Sequence, residues 1–288
     1  MVLATPLAVY AQGRTDTVWH GTPIRVSNQF KFTEGPASDA EGNVFFTDQP
    51  NNRIWKYATD GTLSIFMDPA GRSNGMFVDR KGNLISCADE HDQLWSISPK
   101  GKVTVLVKNF EGIRMNGPND VWVSPKGGIY FSDPYYQRDY WKRKSPSLKS
   151  MDVYYLAPGA TTPVRVIDDL KRPNGLIGTP DGKTLYVSDI DANKIYVYKI
   201  RADGSLDKGR LFFQGLRTDG MTIDNRGNVY LCGKGVSIIS PRGVQTGHIP
   251  IPEPWSANAC FGGVRDDTLF IAASTALYKV PTNVKGVR

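Results

Sequence analysis

Six polar residues recur at similar intervals along the chain, each just ahead of an apolar run of the kind that forms strands. They are Glu34, Asn74, Asn119, Asn174, Asp219 and Asn258, separated by 40, 45, 55, 45 and 39 residues. Two carboxylates and four carboxamides offer oxygen donors without His or Cys, a donor set that suits Ca²⁺ and, less specifically, Mg²⁺ or Mn²⁺. A fold that gathers the six would therefore make a divalent-cation site.

The elements that would gather these residues repeat with a similar period. A Gly-containing turn followed by a β-branched and aromatic run is typical of a β-hairpin. Such turns occur in 39–48, 79–89, 124–133, 179–189, 224–233 and, more loosely, 264–274. A second alternating run and another short run follow most copies, and no stretch shows a sustained 3.6-residue apolar period. Each unit is therefore expected to contain about four antiparallel strands.

Four-stranded units at a period near 45 residues are typical of β-propeller blades. We expect an all-β, six-bladed β-propeller made by residues 21–288 as a single domain. The N-terminal run 22–32 has no partner of its own and is expected to complete the last blade. A β-sandwich would leave the period unexplained. In a propeller the innermost strands line a central channel, so equivalent residues of the six repeats converge there.

A local explanation for the polar residues competes with this one. Asn and Asp before Gly are favoured in turns, and a single such pair would predict no more than a turn. Six copies in register, each followed rather than preceded by an apolar strand, favour a shared site.

Several phrases resemble the SMP-30/gluconolactonase family, which includes regucalcin and sugar lactonases. They are TEGP (33–36), NGPND (116–120), RPNGL (172–176), TDGMTID (218–224) and NACFGG (258–263). The resemblance implies one divalent ion, calcium or zinc, at the channel mouth. It implies Glu34, Asn174 and Asp219 as ligands, Asn119 as a further ligand or substrate contact, and Asp219 as the general base.

The chain departs from this pattern at one position. Animal members of the family place an Arg two residues before the Asn that matches Asn119, whereas this chain has Gly117. We expect Asn116 and Arg114 to substitute for it, so the departure affects the expected substrate more than the expected chemistry.

The chemistry expected is metal-assisted hydrolysis of a sugar lactone. The cation would polarise the lactone carbonyl as a Lewis acid, and Asp219 would take a proton from the attacking water. The residues expected to bind the substrate are Asn74, Arg114, Asn116, Asn119, Tyr135 and Asn258.

Repeat three carries an insertion, 134–150, with four aromatic residues and a cluster of positive charges. Long loops on propellers are often functional. One hypothesis is a lid on which Tyr135, Tyr136 or Trp141 stacks against a sugar ring. The alternative is a solvated hairpin, and the sequence leaves both open.

Other functions are compatible with parts of the pattern. A calcium-dependent phosphotriesterase would use the same kinds of ligand, and a non-catalytic propeller could keep a structural metal. Ser73 lies in a GxSxG motif (71–75), but a strand and turn follow it instead of the helix that a nucleophile elbow requires. The three histidines are dispersed, so a His cluster or His–Asp dyad is not expected.

Composition excludes little. The formal net charge of +7 arises from basic residues scattered along the chain, which indicates a solvated surface rather than a nucleic-acid-binding one. The three cysteines form no CxxC pair and are expected to be buried and reduced. We expect a small-molecule partner, with no nucleic acid and no membrane; the oligomeric state is left open.

The first twenty residues are treated separately. Residues 1–20 include a short apolar run and a small-residue site, like the end of a secretory signal peptide, although a positive n-region is missing and the run is too short to span a membrane. An apolar first strand or a disordered extension is the alternative. A periplasmic or secreted location is expected, with a cytoplasmic one as the alternative.

Overall fold

Consecutive antiparallel strands form a ring of blades in the computed structural model, which describes residues 17–287. Blade 1 contains β2 (Thr33–Ser38), β3 (Val44–Asp48), β4 (Arg53–Tyr57) and β5 (Leu63–Met67). Blade 2 contains β6 (Ser73–Val78), β7 (Leu84–Ala88), β8 (Gln93–Ile97) and β9 (Val103–Val107). Blade 3 contains β10 (Val121–Val123), β11 (Ile129–Asp133), β12 (Asp152–Leu156) and β13 (Val164–Ile167). Blade 4 contains β14 (Pro173–Gly178), β15 (Thr184–Asp189), β16 (Lys194–Lys199) and β17 (Arg210–Gln214). Blade 5 contains β18 (Met221–Ile223), β19 (Val229–Gly233), β20 (Gly235–Ile239) and β21 (Gln245–Ile249).

Blade 6 combines the two ends of the described chain. It contains β22 (Ser256–Gly262), β23 (Thr268–Ala273), β24 (Ala276–Pro281) and the N-terminal strand β1 (Ile24–Ser27). Strand β1 pairs antiparallel with β24, so that Ile24 lies opposite Lys279. The predicted six-bladed β-propeller, closed by its N-terminal strand, is confirmed.

The recurrent Asp-x-x-Gly-Asn phrase closes the first hairpin in three of the blades. In blade 1, Asp39 Oδ1 accepts the Asn43 backbone N–H at 2.8 Å, and the Asn43 side-chain amide donates to Asp39 Oδ2 at 2.8 Å. Gly42 has φ +86°, a conformation that favours glycine. Equivalent contacts join Asp79 to Asn83 and Asp224 to Asn228. The polar residues of this phrase therefore fix the turns, while the alternating run behind them forms the strands.

The apolar core lies between adjacent blades. Trp122 and Tyr130 of blade 3 pack in one cluster with Leu176 of blade 4 and Met221 of blade 5. Around the ring, each innermost strand contacts the innermost strand on either side, from β2 and β6 through β18 and β22 back to β2. Burial therefore holds the six innermost strands around one channel.

In three blades, a carboxylate at the end of the second strand fixes the loop that leads into the innermost strand of the same blade. Asp48 accepts the backbone N–H groups of Lys31 and Phe32 at 3.0 and 3.3 Å. Asp133 accepts those of Asn116 and Gly117 at 2.8 Å each. Asp189 does the same for Lys171 and Arg172 at 3.0 Å each. In each case the two N–H groups belong to the residues three and two positions before a polar channel residue. The carboxylate therefore fixes the backbone that leads to that channel residue.

Three predictions about the periphery can be placed. The cysteines Cys87, Cys232 and Cys260 are buried thiols, as predicted. The proposed signal-peptide remnant falls mostly on residues 1–16, which lie outside the described residues, whereas Trp19 packs against blade 5 and blade 6. Within the described residues no helix is long and apolar enough to cross a bilayer.

Candidate functional site

One mouth of the channel widens into a cavity of about 280 Å³. Its wall includes five of the six repeated polar residues, namely Glu34, Asn74, Asn119, Asn174 and Asp219. Blades 1 to 5 each contribute one of them, from the start of the innermost strand or from just before it. The convergence expected from the repeat therefore occurs.

Close packing of the innermost strands explains why glycine follows four of these five polar residues. The Gly75 N–H donates to Asn119 O at 2.7 Å, and the Gly175 N–H donates to Asp219 O at 3.1 Å. A Cβ at Gly75 would lie 2.6 Å from Asn119 O, and one at Gly175 would lie 2.3 Å from Asp219 O. The glycines thus let neighbouring blades hydrogen-bond at the channel.

Glu34 and Asn174 lie at irregularities in strand pairing and not in turns. The register between β2 and β3 shifts between Glu34 and Ala37, and that between β14 and β15 shifts across Asn174. Bulges of this kind redirect a side chain out of the regular alternation. The turn explanation of these residues is therefore wrong for Glu34 and Asn174.

Two carboxylates share the cavity at close range. Glu34 and Asp219 are 5% and 9% exposed. Burial and then the negative charge of Asp219 raise the pKa of Glu34 well above its ordinary value, although Glu34 Oε2 accepts the Gly35 N–H at 2.6 Å. Burial raises the pKa of Asp219 to about 6, against the effect of the Trp255 indole N–H, which donates to Asp219 Oδ2 at 2.6 Å. Neither carboxylate is paired with a cationic side chain within salt-bridge distance among the described residues.

The carboxamides present further oxygens to the same space. Asn74 Oδ1 is buried and has no hydrogen-bond partner among the described residues, a costly state for a polar atom. The Asn174 amide donates from Nδ2 to the Tyr136 hydroxyl at 2.9 Å, and its side chain also hydrogen-bonds Asp219.

These observations fit a divalent cation. Two like charges buried together are costly unless a cation compensates them, and an unpartnered amide oxygen can serve as a further donor. Among the described residues no group of three His, Cys, Asp or Glu side chains is placed to hold a metal, so any ligand set here has to draw on carboxamides. Glu34, Asn174 and Asp219, with Asn119 or Asn74, provide such a set.

Asn258, the sixth repeated residue, lies deeper in the channel. Its Nδ2 donates to Asp120 Oδ2 at 3.5 Å, and its Oδ1 accepts the Ala259 N–H at 2.8 Å. The register of β22 and β23 shifts between Ser256 and Asn258, so Asn258 stands after the irregularity and not at its start. Asn258 therefore lies beside the buried Asp120 and outside the cavity wall, although its side chain also hydrogen-bonds Glu34.

Besides Asn258, three residues expected to bind the substrate are absent from the cavity wall. The Arg114 side chain is 62% exposed and lies 3.5 Å from Asp92. Asn116 is fully buried and holds the insertion: its Oδ1 accepts the N–H groups of Ser147 and Leu148 at 3.0 and 2.9 Å. Tyr135 stacks on Trp141 at a centroid distance of 5.9 Å.

The structure adds six cavity residues that sequence analysis passed over, and it places Tyr136, one of the aromatic residues considered for the lid, in the same wall. The six are Phe32, Gln49, Arg138, Ile190, Arg217 and Trp255. Arg217 stands two residues before Asp219, as Arg172 does before Asn174, so the repeat carried a signal for it. Trp255 and Gln49 lie outside the repeated phrase, and nothing in the pattern marked them.

The insertion forms part of the cavity wall rather than a solvated hairpin. Arg138 Nε donates to Asp89 Oδ2 at 2.9 Å, the Tyr140 hydroxyl donates to the same oxygen, and Trp141 Nε1 donates to Asp89 O at 3.1 Å. Burial raises the pKa of Asp89 despite the neighbouring Arg138. Asp89 of blade 2 thus makes three of the contacts that hold the insertion of blade 3 over the channel, and Asp92 adds an ion pair with Arg143.

Gly117 gives the insertion room. A Cβ at Gly117 would lie 2.7 Å from the Trp141 ring. The tryptophan therefore takes the space that a side chain at position 117 would need, while Arg138 of the same insertion reaches the cavity. The polar side chain that reaches the cavity on this side is Arg138. Sequence analysis had expected Arg114 and Asn116 there instead.

The nucleophile motif and the histidines are accounted for structurally. Ser73 is buried; its hydroxyl donates to Ala70 O at 2.6 Å and accepts from the Ser86 hydroxyl at 2.6 Å. The residue begins strand β6 and no helix follows it, as its sequence context predicted. His91 stacks on Trp95, and His248 contacts Ser237 on the outer strands of blade 5.

Fold and cavity together define a six-bladed propeller with a carboxylate and carboxamide site at one channel mouth. The family model described as the SMP-30/Gluconolactonase/LRE-like region matches residues 32–275. The chain belongs to this family, as its sequence phrases predicted.

Individual relatives agree with this assignment. A gluconolactonase from Zymomonas mobilis is 33% identical over 92% of this chain and 83% of its own length. A crystal structure of a gluconolactonase from Xanthomonas campestris superposes with a TM-score of 0.87 at 28% identity, covering 97% of this chain and 95% of that one. A regucalcin from Agrobacterium tumefaciens, described as a calcium-binding protein, shares the fold at 18% identity with a TM-score of 0.76, over 93% of this chain and 95% of that one.

Proposed function

We propose that this protein is a metal-dependent lactonase that opens a sugar lactone of the gluconolactone type. The observation that carries the proposal is the pair of buried carboxylates, Glu34 and Asp219, in a cavity lined by carboxamides. The gluconolactonase from Zymomonas mobilis, similar over most of both chains, supports the same reaction class.

The cation would be held by Glu34, Asn174 and Asp219, with Asn119 as a fourth protein donor. Calcium suits this all-oxygen set best, and zinc, magnesium and manganese are alternatives. When bound, the cation supplies Lewis-acid polarisation of the lactone carbonyl and compensates the two carboxylate charges.

Asp219 would act as the general base. Its Oδ2 is engaged by the Trp255 indole, which leaves Oδ1 as the atom that takes a proton from water. Burial raises the pKa of Asp219 to about 6, so in the chain itself the group is ionised at neutral pH and more basic than an exposed aspartate. Trp255 is thus a positioning residue for that carboxylate.

The remaining wall would orient the sugar ring. Asn74 and Asn119 offer amide groups to ring hydroxyls, and Arg138 adds N–H donors because only its Nε is engaged by Asp89. Phe32, Ile190 and Trp255 cover part of the wall with apolar surface. Such a surface limits the water that can reach the reacting atoms.

The reaction is a hydrolysis and balances without a redox partner. The water oxygen forms a bond to the carbonyl carbon while its proton passes to Asp219 Oδ1. The ring C–O ester bond then breaks, and the leaving alkoxide takes the proton back from Asp219 Oδ1, which restores the base. The product is the open-chain hydroxy acid.

Proton release from glucono-δ-lactone, corrected for spontaneous opening, tests the proposal. Asp219→Asn keeps the shape and is expected to lower kcat by about 10² to 10⁴, the range for loss of a general base. Asp181→Asn, at an exposed turn, is the matched control and should behave as wild type. Chelation should abolish turnover and added Ca²⁺ should restore it.

Two outcomes would overturn the proposal. One is an Asp219→Asn protein that opens the lactone as fast as wild type. The other is a wild-type protein that leaves a panel of aldonolactones untouched while it hydrolyses a phosphotriester, or while Ca²⁺ only raises its melting temperature.

A further inference from the structure

Two arginines at the rim of the cavity share one carboxylate. Arg172 Nε lies 3.2 Å from Asp191 Oδ2, and Arg217 Nη2 lies 3.4 Å from Asp191 Oδ1. We call Arg172 and Arg217 the arginine pair. Two guanidinium charges against one carboxylate leave about one positive charge uncompensated, and arginine stays protonated throughout the physiological pH range.

The arginine pair is built into the site and not scattered over the surface. Each member stands two residues before a cavity residue, Asn174 or Asp219. Asp189 fixes the backbone at Arg172, accepting its N–H at 3.0 Å. The propeller repeat therefore directs two guanidiniums of neighbouring blades to the same mouth.

Contacts of both arginines tie them to the cavity. Arg217 lines it directly, and the Arg217 charge lowers the pKa of Asp219. The Arg172 guanidinium lies 4.9 Å from the centroid of the Tyr136 ring, whose hydroxyl reaches Asn174. Because both guanidiniums also contact Asp191, an anion bound at this mouth would meet both of them.

Arg138 also lines the cavity, but its positive charge is already paired. Arg138 is compensated by Asp89, which has no other cationic partner within salt-bridge distance among the described residues. Glu34 and Asp219 are compensated by the cation that the proposed function requires. What remains at the mouth is the positive charge of the arginine pair.

We infer that the preferred substrate is a sugar lactone carrying a second, anionic group, a phosphate or a carboxylate, which the arginine pair binds at the cavity mouth. This inference rests on the lactonase assignment and deepens it. Guanidinium forks match both oxyanions geometrically, and an anion between Arg172 and Arg217 relieves their mutual repulsion.

Turnover of three lactones tests the inference. The substrates are glucono-δ-lactone, its 6-phosphate and an aldarolactone with a free carboxylate. Wild type should show a higher kcat/KM for at least one of the two anionic lactones than for the neutral one. Arg217→Gln and Arg172→Gln should each reduce that preference by about fivefold, since an ionic contact at a partly exposed side chain is modest. Raising the ionic strength should reduce it as well.

Control variants show whether the preference depends on the arginine pair itself or on the total charge of the protein. Arg201→Gln removes the same charge from an exposed arginine that also pairs with an aspartate, Asp207, at an inter-strand loop outside the cavity. This control should keep the wild-type preference. Arg217→Lys should retain part of the preference because charge remains without the fork.

A binding readout is independent of turnover. 1,5-Anhydroglucitol and its 6-phosphate are rings without the ester, and their binding can be followed by calorimetry. The phosphate should bind at least about fivefold more tightly to wild type, and Arg217→Gln should remove that difference.

The outcomes distinguish the two proposals. Turnover of the neutral lactone with equal or lower kcat/KM for both anionic lactones, unchanged in Arg217→Gln, overturns the inference and leaves the lactonase assignment standing. No turnover of any lactone overturns the lactonase assignment, and with it the inference. Preference for the phosphate or for the carboxylate identifies which anion the site takes.

Discussion

Removal of one buried carboxylate should raise the stability of the metal-free protein. Glu34 is 5% exposed, and burial together with Asp219 raises its pKa well above the ordinary value. Its ionised form is therefore destabilised in the folded state near neutral pH without a cation. Glu34→Gln keeps the acceptor for the Gly35 N–H, now bonded at 2.6 Å, and turns a repulsive oxygen into an amide donor beside Asp219.

The size of the effect follows from these contacts. Relief of an uncompensated buried charge is worth about 2 kcal/mol, and 1 kcal/mol shifts the melting temperature by about 2 °C in a chain of this size. Metal-free Glu34→Gln should therefore melt about 4 °C above metal-free wild type. Calcium at about 100 times its Kd adds about 2.7 kcal/mol to wild type, or about 5 °C, and should add less than half of that to the variant.

Differential scanning calorimetry in chelator and then in excess Ca²⁺ measures both effects. Glu41→Gln, an exposed glutamate in the first hairpin turn of the same blade, controls for loss of one negative charge. A metal-free Glu34→Gln protein that melts below metal-free wild type, and keeps the full calcium shift, would refute the reasoning that the carboxylate pair repels and binds a cation.

Three further substitutions test the assignments of individual side chains. Asn116→Ala should lower the free energy of unfolding by about 2 to 4 kcal/mol in urea titrations, because two backbone N–H groups lose the Asn116 oxygen to which they donate. A selective rise in KM at unchanged stability would contradict this. Tyr136→Phe, which loses the contact with the cavity amide, should raise KM about threefold or more, whereas Tyr135→Phe, outside the cavity, should leave KM unchanged. Ser73→Ala should retain kcat, since that hydroxyl is buried in structural hydrogen bonds, and loss of turnover in a folded variant would restore the serine hypothesis.

The architecture was predictable because it is specified locally and then repeated. The Gly turns, with Asp39 and Asn43 as an example, set hairpins from side chains four residues apart. Alternation within each run sets which face is buried. The period converts these local choices into a ring, and for the same reason five of the six repeated polar residues were found at the cavity.

The residues that sequence analysis misplaced are those whose positions depend on strand register or on contacts outside the repeat. Asn258 carries the right residue type, but a shift in strand register moves it out of the cavity wall, and side-chain identity does not report register. Arg114 and Asn116 stand near a cavity residue in sequence, but the partners that draw them away, Asp92 and the backbone of the insertion, lie far along the chain.

The insertion shows how such a site acquires new side chains without a change in the ring. In blades 1, 3 and 4 the carboxylate after the second strand is occupied by two backbone N–H groups. In blade 2 the equivalent N–H of Arg72 donates instead to Asn52 Oδ1 at 2.6 Å, which leaves Asp89 available.

Asp89 then accepts from Gln49 at 3.2 Å, Arg138 and Tyr140, three side chains from blade 1 and the insertion of blade 3. The glycine at 117 clears the space that Trp141 fills. One displaced backbone contact and one missing side chain thus allow the insertion to bring Tyr136 and Arg138 to the cavity. The propeller supplies the carboxylates and amides of the proposed cation site, while the insertion supplies two side chains of the cavity wall. If these contact the proposed substrate, specificity can change independently of the ring.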